Sequence, residues 1–261
     1  MNQQDLSTIQ GFLIDLDGVL FIDDELIPGA AETLQFLRSK GLPYRFMTNT
    51  TTTTPSRLVR KLETFGLEAD EKEIVSPLKV AVRYLRLRGN PSCYFVLLDE
   101  AKEAFEEFTE SDTKPDYVVI GKIGDRWDYK LVNKVFNLLL EGAELIALHK
   151  NRYSMGKDGL QIEFGSFIAA LEYATGKESI IMGKPSSAFF QSALESIGLP
   201  GGQVAMIGDD VESDVGGAQR AGIKGILVQT GKYREELVSR SGIQPDGIIS
   251  SIADLPVLIG S

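Results

Sequence analysis

Apolar runs alternate with amphipathic segments along the first 90 residues. Residues 11–14 form an apolar run that ends at Asp15, a pattern typical of a buried parallel strand. Residues 30–40 repeat apolar positions at helical spacing before Gly41, which predicts a helix, and residues 43–47 predict a second strand. Strand, helix and strand joined by short connections predict a parallel sheet covered by helices on both faces.

Two further helices are marked by proline in the first turn. Thr54 precedes Pro55 and Ser76 precedes Pro77, so each pair supplies a helix cap and a favoured first residue. The apolar spacing that follows predicts helices from residue 55 to Gly66 and from residue 77 to about residue 88.

The rest of the chain contains two groups of strand-like segments. The last group is predicted at residues 180–182, 204–207, 226–228 and 247–249, and we expect it to continue the first sheet. The middle group has strands predicted at residues 94–98, 117–120, 145–148 and 160–162, with helices around 131–140 and 166–174. The chain is therefore predicted to be α/β, with a parallel-sheet domain formed by residues 1–89 and 179–261 and an inserted α/β domain at 90–178.

Composition and charge limit the kinds of molecule that the protein is expected to bind. The 261 residues carry a formal net charge of −10, which argues against binding to nucleic acid. An anionic substrate would be repelled at long range, so its site needs local positive charge. The N-terminus lacks the pattern of a signal peptide, no apolar run has the length of a membrane span, and Cys93 stands alone, so a cytoplasmic protein with no membrane partner is expected.

Candidate chemistry begins at the end of the first strand. Asp15 and Asp17 lie two residues apart where ligands bind to sheets of this kind, beyond the carboxyl ends of the strands. Two ionised carboxylates so close repel each other, and Mg²⁺ would offset that repulsion while attracting phosphate oxygens. The pair taken alone fits an ordinary turn equally well.

Three other predicted strand ends carry polar or charged side chains. Each is weak by itself, but together they would gather at one edge of a parallel sheet. They are Thr48 and Asn49 after residue 47, Lys184 between Gly183 and Pro185, and Asp209, Asp210 and Asp214 after residue 208.

This ordered set resembles the four motifs of the haloacid dehalogenase-like (HAD) superfamily of phosphohydrolases. The block between the second and third motifs is similar to the cap of subfamily IIA. The resemblance implies a Rossmann-like HAD core with an inserted α/β cap of the C2 type. Residues 170–176 and 214–219, with residues 230–233, further resemble one branch of the subfamily. Animal members of that branch carry Ser where this chain has Asp17, so the complete acid pair favours hydrolysis here and weakens the transfer of their substrates.

The resemblance also implies a role for each motif residue. Asp15 would attack phosphorus to form an aspartyl-phosphate, and Asp17 would act as general acid and then general base. The resemblance implies a Mg²⁺ ion held by the carboxylates of Asp15 and Asp209 and by the backbone carbonyl of Asp17. Thr48, Asn49 and Lys184 would bind phosphate. Asp210 and Asp214 would order metal-bound water.

Substrate identity is left open. Candidates are sugar phosphates and other small monoesters, pyrophosphate, and phospho-amino acids. His149 is the chain's single histidine, and one interpretation gives it a structural role. The other is that His149 and Arg152, in the segment after a strand of the inserted domain, contribute to substrate specificity. A homodimer is also left open. The alternative function is a phosphate-ligand binding or regulatory protein that uses the same pocket without turnover; a phosphomutase and a dehalogenase are weaker options.

Overall fold

The computed structural model describes Leu6, residues 8–156 and residues 159–260. Its strands are, in chain order, β1 (Gly11–Asp15), β2 (Phe21–Ile22), β3 (Glu25–Leu26), β4 (Tyr44–Met47), β5 (Ile74–Val75), β6 (Cys93–Val96), β7 (Tyr117–Ile120), β8 (Glu144–Ala147), β9 (Tyr153–Gly156), β10 (Gly159–Ile162), β11 (Ile180–Ile181), β12 (Val204–Gly208), β13 (Lys224–Val228) and β14 (Gly247–Ile249). Its helices are α1 (Ala30–Ser39), α2 (Pro55–Thr64), α3 (Pro77–Arg86), α4 (Asp99–Lys102), α5 (Tyr129–Leu140), α6 (Gly165–Thr175), α7 (Ser187–Ile197), α8 (Gly217–Arg220), α9 (Glu235–Ser241) and α10 (Leu255–Leu258).

The chain divides into two compact units. The first comprises Met1–Thr48, Pro55–Val75 and Lys184–Ser261, and the second comprises Asn49–Thr54 and Ser76–Gly183. The predicted limits of the inserted domain, residues 90 and 178, both lie inside the second unit. That unit therefore includes α3, which the sequence analysis placed in the core.

The first unit is built on a six-stranded parallel sheet in the order β14-β13-β12-β1-β4-β5. All five residues of β1 are buried, because this strand lies between β12 and β4 and has no edge or face open to water. Helix α1 turns Ala30, Leu34 and Leu37 into the same apolar core, as its spacing predicted. Ile14 is in register with both Ile207 and Phe46, so the carboxyl ends of the three central strands lie side by side.

The second unit has its own four-stranded parallel sheet in the order β11-β8-β7-β6, and β9 and β10 pair as an antiparallel hairpin. Helix α3 begins as predicted, with the Ser76 hydroxyl accepting a hydrogen bond from the backbone N–H of Lys79. One expectation is wrong: the strand at 180–182 does not join the core sheet. Its residues Ile180 and Ile181 pair with β8 of the second sheet.

The predicted class, α/β with a parallel Rossmann-like core sheet and a separate α/β cap, is confirmed by these two sheets. Across the described ranges of the chain, every helix is too short or too polar to span a lipid bilayer.

Asp246 joins the ends of two core strands. Its carboxylate accepts hydrogen bonds from the backbone N–H of Gly225 at 2.8 Å, from Gln219 Nε2 at 2.9 Å and from Lys224 Nζ at 2.9 Å. Burial acts to raise the pKa of Asp246, but these donors outweigh it and hold the pKa below its ordinary value. The stabilisation is therefore present above the carboxyl pKa of the unfolded chain and is lost as pH falls through the lower, folded-state pKa.

We expect Asp246→Ala to lower the free energy of unfolding by about 1–3 kcal/mol, because it leaves buried donors without an acceptor. Urea unfolding at pH 7 measures the loss. Glu68→Ala is the matched control, because it removes an 87% exposed carboxylate that pairs with Arg38, and such surface pairs contribute less than about 1 kcal/mol. Equal losses in the two variants would contradict the assignment.

Candidate active site

Three adjacent strands of the core sheet deliver polar side chains to one edge. Asp15 is the last residue of β1, Thr48 follows β4, and Asp209 follows β12. Because these strands are parallel and neighbouring, their carboxyl ends meet. The three side chains are buried, with exposed fractions of 5% for Asp15, 0% for Thr48 and 2% for Asp209. The sequence prediction that these strand ends converge is confirmed for this part of the site.

Lys184 provides a buried positive charge at this edge. Its Nζ atom lies 2.7 Å from Asp15 Oδ1 and 2.7 Å from Asp214 Oδ1, and the residue is 3% exposed. Burial acts to lower the pKa of Lys184, but the two carboxylates outweigh it and raise the pKa, so the ammonium stays charged. Lys184 was expected at the end of a core strand. It reaches its carboxylates instead from the segment that follows β11 of the second sheet.

Asp214 belongs to a π-helical turn, Val211–Gly216, that follows β12. Asp210 caps this turn, because its Oδ1 accepts hydrogen bonds from the backbone N–H groups of Glu212 and Ser213. The N–H of Asp210 donates in turn to Asp214 Oδ2 at 3.1 Å. The wide turn thus carries Asp214 back toward the end of β12, where it is fully buried.

The three buried carboxylates fit a divalent cation. Asp15, Asp209 and Asp214 each offer an oxygen, and these atoms lie within 4.8 Å of one another. Lys184 neutralises one of the three charges, and Asp209 Oδ1 is buried without a hydrogen-bond partner in the described part of the chain. A hard cation with oxygen ligands, such as Mg²⁺, would satisfy both deficits.

The same burial shifts the titration of these groups. Loss of hydration raises the pKa of Asp15 to about 6, although Lys184 opposes the shift. Burial, followed by the charge of Asp214, also raises the pKa of Asp209, and burial raises that of Asp214. Without a second cation the cluster therefore holds protons more tightly than free carboxyl groups do.

The Asp17 side chain is exposed, in contrast to these three. It precedes Gly18, whose φ of +82° turns the chain back on itself. The N–H of Gly18 donates to the carbonyl of Phe21 at 2.8 Å, which closes the turn. The metal contact expected of Asp17 was through its backbone carbonyl, and that expectation stays a prediction.

Three other predicted site residues belong to the second unit. Asn49 is half-buried there, and Arg152 is exposed, with its backbone carbonyl accepting the N–H of Glu163 at 3.0 Å. His149 is buried against the Phe164 ring, with 4.1 Å between ring centroids, and its Nδ1 accepts the N–H of Asn151 at 3.3 Å. The phosphate and specificity roles assigned to these residues stay predictions.

The sequence analysis missed a buried polar cluster in the second unit. Glu163 is 5% exposed, and its Oε1 accepts hydrogen bonds from Lys122 Nζ at 2.6 Å and from Ser154 Oγ at 2.7 Å. Burial acts to raise the pKa of Glu163, but these donors hold it below its ordinary value. The sequence feature that could have indicated Glu163 is its position directly after a predicted strand.

The sequence analysis also missed the contacts of the loop of residues 230–232, which follows β13 in the core sheet. It noted residues 230–233 only for their resemblance to one branch of the subfamily. The backbone N–H of Lys232 donates to Asp209 Oδ2 at 2.7 Å, and the Thr230 hydroxyl donates to the carbonyl of Gly18 at 2.5 Å. The signals in the sequence were its position after a predicted strand and that resemblance.

Comparison with known proteins points to one family. Residues 12–111 match the family described as haloacid dehalogenase-like hydrolase, and residues 181–255 match a HAD-hydrolase-like family. Haloacid dehalogenase-like hydrolase domain-containing protein 2 of Bos taurus is 42% identical over 87% of this chain and 86% of its own length. Phospholysine phosphohistidine inorganic pyrophosphate phosphatase of Homo sapiens is 35% identical over 95% of this chain and 93% of its own.

Solved structures agree with the sequence relatives. The 4-nitrophenylphosphatase of Thermotoga maritima superposes with a TM-score of 0.90 at 29% identity, covering 97% of this chain and 98% of that one. NagD of E. coli superposes with a TM-score of 0.85 at 25% identity, covering 94% and 98%. The match extends over both parallel sheets.

We expect metal-free protein to lose stability as pH rises from 5.5 to 8. Asp15, Asp209 and Asp214 have raised folded-state pKa values, so ionising them costs free energy that is fully present above those values. Lys184 stays protonated throughout this range and adds no slope. A bound divalent cation offsets the cost, so Mg²⁺ should raise Tm more at pH 8 than at pH 5.5. A metal-induced shift of equal size at both pH values, measured by calorimetry, would contradict the assignment.

Replacing Lys184 tests the buried ion pairs directly. We expect Lys184→Met to lower the free energy of unfolding in EDTA by about 3–5 kcal/mol, because it leaves buried carboxylates uncompensated. Adding Asp214→Asn to Lys184→Met should recover part of that loss, because one of the unpaired charges is removed. Urea unfolding of the single and double variants measures both effects, and a double variant no more stable than Lys184→Met would argue against the pairing.

Proposed function

Since the chain belongs to the haloacid dehalogenase-like phosphohydrolases of subfamily IIA, we propose that it is a Mg²⁺-dependent phosphatase. It would hydrolyse small phosphorylated compounds through a covalent aspartyl-phosphate at Asp15. The observation that carries the proposal is the buried convergence of Asp15, Asp209 and Asp214 around Lys184 at one edge of the core sheet. A carboxylate paired with a cation, beside two further carboxylates that could bind a divalent ion, suits attack on a phosphate ester.

Asp15 is the nucleophile in this mechanism. Both Lys184 Nζ, at 2.7 Å, and the backbone N–H of Leu16, at 2.9 Å, bond to Asp15 Oδ1, so we assign attack on phosphorus to Oδ2. A bond forms between Oδ2 and phosphorus while the bond to the leaving oxygen breaks. Asp17 donates its proton to that oxygen. In the second step Asp17 takes a proton from water, whose oxygen displaces Asp15 and releases phosphate.

Other residues of the site bind the transferring group. Thr48, Asn49 and Lys184 would hold the phosphate oxygens, where charge is concentrated during transfer. Asp15 and Asp209 would hold Mg²⁺ through their carboxylates, with the backbone carbonyl of Asp17. The ion, when bound, offsets the repulsion between carboxylate and phosphate. Asp210 and Asp214 orient the groups around it, because each already fixes its neighbour by a hydrogen bond.

The substrate is a small organic phosphate in this proposal. Two of the relatives carry the names 4-nitrophenylphosphatase and phospholysine phosphohistidine inorganic pyrophosphate phosphatase, which support this substrate class. His149 and Arg152 of the second unit are the specificity residues we assign. A cytoplasmic location and a homodimer are further expectations. The alternative is binding of a phosphate ligand without turnover, and the presence of both Asp15 and Asp17 favours hydrolysis over it.

We expect Asp15→Asn to abolish turnover of 4-nitrophenyl phosphate with Mg²⁺, because the amide oxygen is a poor nucleophile. Asp17→Asn should lower kcat by about 10²–10⁴, the usual contribution of one general acid or base. EDTA should stop the reaction and added Mg²⁺ should restore it. Release of nitrophenolate, followed by absorbance, is the measurement.

Asp24→Asn is the matched control for these variants. Asp24 lies in the loop between β2 and β3, its side chain is 96% exposed, and its carboxylate is 3.9 Å from Lys61 Nζ, so its loss should leave kcat unchanged. Full activity of Asp15→Asn would remove Asp15 as nucleophile. Binding of phosphate by the wild-type protein, with no release from any member of a panel of phosphate esters, would favour the alternative function.

A further inference from the structure

A fourth strand of the core sheet also sends its carboxyl end to the site. Strand β13 pairs in parallel with β12, and the residues that follow it, 230–232, come to the same edge. This 230–232 loop contacts two of the site's segments. The Thr230 hydroxyl donates to the carbonyl of Gly18, and the N–H of Lys232 donates to Asp209 Oδ2. The loop therefore ties the turn after Asp17 to the carboxylate of Asp209.

Two glycines enclose the oxygen that the loop holds. Gly18 and Gly231 have φ values of +82° and +59°. A Cβ atom on Gly18 would lie 2.0 Å from Asp209 Oδ2, and one on Gly231 would lie 2.1 Å from it. Asp209 thus occupies the space that two side chains would fill. Its Oδ2 is fixed by steric contact and by the Lys232 N–H, which leaves the buried Oδ1 as the oxygen available to a cation.

The loop also constrains the peptide group that follows Asp17. Gly18 is held at both ends: its N–H donates to Phe21 and its carbonyl accepts the Thr230 hydroxyl. The carbonyl of Asp17 shares a planar peptide unit with the Gly18 N–H, so fixing that N–H fixes the direction of the carbonyl. One short loop therefore restrains Asp209 by a side-chain oxygen and Asp17 by its backbone.

We propose that the 230–232 loop is a positioning element for the divalent cation, with Thr230 and Gly231 as its essential residues. It contacts the groups that would hold the ion and orients them before the ion arrives. The inference rests on the proposed function, because it concerns the same cation site. Residues that orient metal ligands contribute about 10- to 100-fold to metal affinity.

The Lys232 side chain acts separately from its backbone. Its Nζ is 3.7 Å from Asp210 Oδ2 and the side chain is 53% exposed. A positive charge beside carboxylates competes with a cation for them, whereas the Lys232 N–H helps to place Asp209. Lys232→Met keeps the N–H and removes only the charge, so it should bind Mg²⁺ at least as tightly as the wild-type protein.

The test is a calorimetric titration of Mg²⁺ into the full-length protein and two pairs of variants. Gly231→Ala should weaken binding at least about tenfold, because the new methyl group displaces Asp209. Gly242→Ala is its control: Gly242 has a φ of +69° and nothing within 4 Å of a Cβ, so it carries the same backbone strain without the contact. Thr230→Val should weaken binding about three- to tenfold, the factor of one net hydrogen bond, and Thr230→Ser should restore it.

The outcomes separate the two proposals. If the wild-type protein binds no Mg²⁺, both the proposed function and this inference fail. If the wild-type protein binds Mg²⁺ and Gly231→Ala and Thr230→Val bind it equally well, only the inference fails. A loss in Lys232→Met as large as in Gly231→Ala would also overturn it, because the side chain would then matter more than the backbone. Thermal unfolding in EDTA checks each fold, and if Gly231→Ala unfolds, the Thr230 pair decides.

Discussion

The site depends on one buried ion pair network, in which Lys184 bridges Asp15 and Asp214. Taking a carboxylate out of water is costly, and this edge of the sheet buries three of them. Lys184 compensates one charge and, with the hydrogen bonds to Asp214 and Asp209, makes the arrangement compatible with folding. In the proposed function, the charge that remains would attract a second cation and, with it, phosphate. A fold that neutralised all three carboxylates internally would have no use for either ligand.

Much of this site could be predicted because topology brings sequence-distant residues together. Asp15, Thr48 and Asp209 end or follow apolar runs, and parallel strands place such residues at one edge whatever the intervening chain. The sequence analysis placed Lys184 after a strand of the core sheet, whereas the strand that precedes it, β11, belongs to the second sheet. The apolar residues Ile180 and Ile181 look the same whether they pair with a core strand or, as here, with β8 of the second sheet. Apolar pattern specifies that a strand is buried, but its partner depends on long-range packing.

Most of the site features that could not be predicted are formed by backbone atoms. The 230–232 loop contributes an N–H group and contains a glycine at a close approach, and the resemblance of residues 230–233 to one branch of the subfamily indicates neither contact. The π-helical turn that brings Asp214 to the site is not recognisable in the sequence either, because an ordinary helix start would have the same sequence features. In the second unit, Glu163 was missed because a lone acidic residue after a strand usually faces water, whereas here Lys122 and Ser154 hold it buried.

The contrast between Asp15 and Asp17 gives these constraints a chemical purpose. The proposed nucleophile must be ionised and fixed. Burial raises the pKa of Asp15 to about 6 and Lys184 opposes that shift, while Lys184 and the Leu16 N–H hold its Oδ1 in place. An acid that later serves as base must reach first the leaving oxygen and then a water molecule. Asp17 has an exposed side chain on a backbone held by the Gly18 turn, so its carboxylate is not buried in place as that of Asp15 is. In the proposed mechanism Asp15 is therefore the fixed nucleophile, and Asp17, two positions later, would carry out both proton transfers.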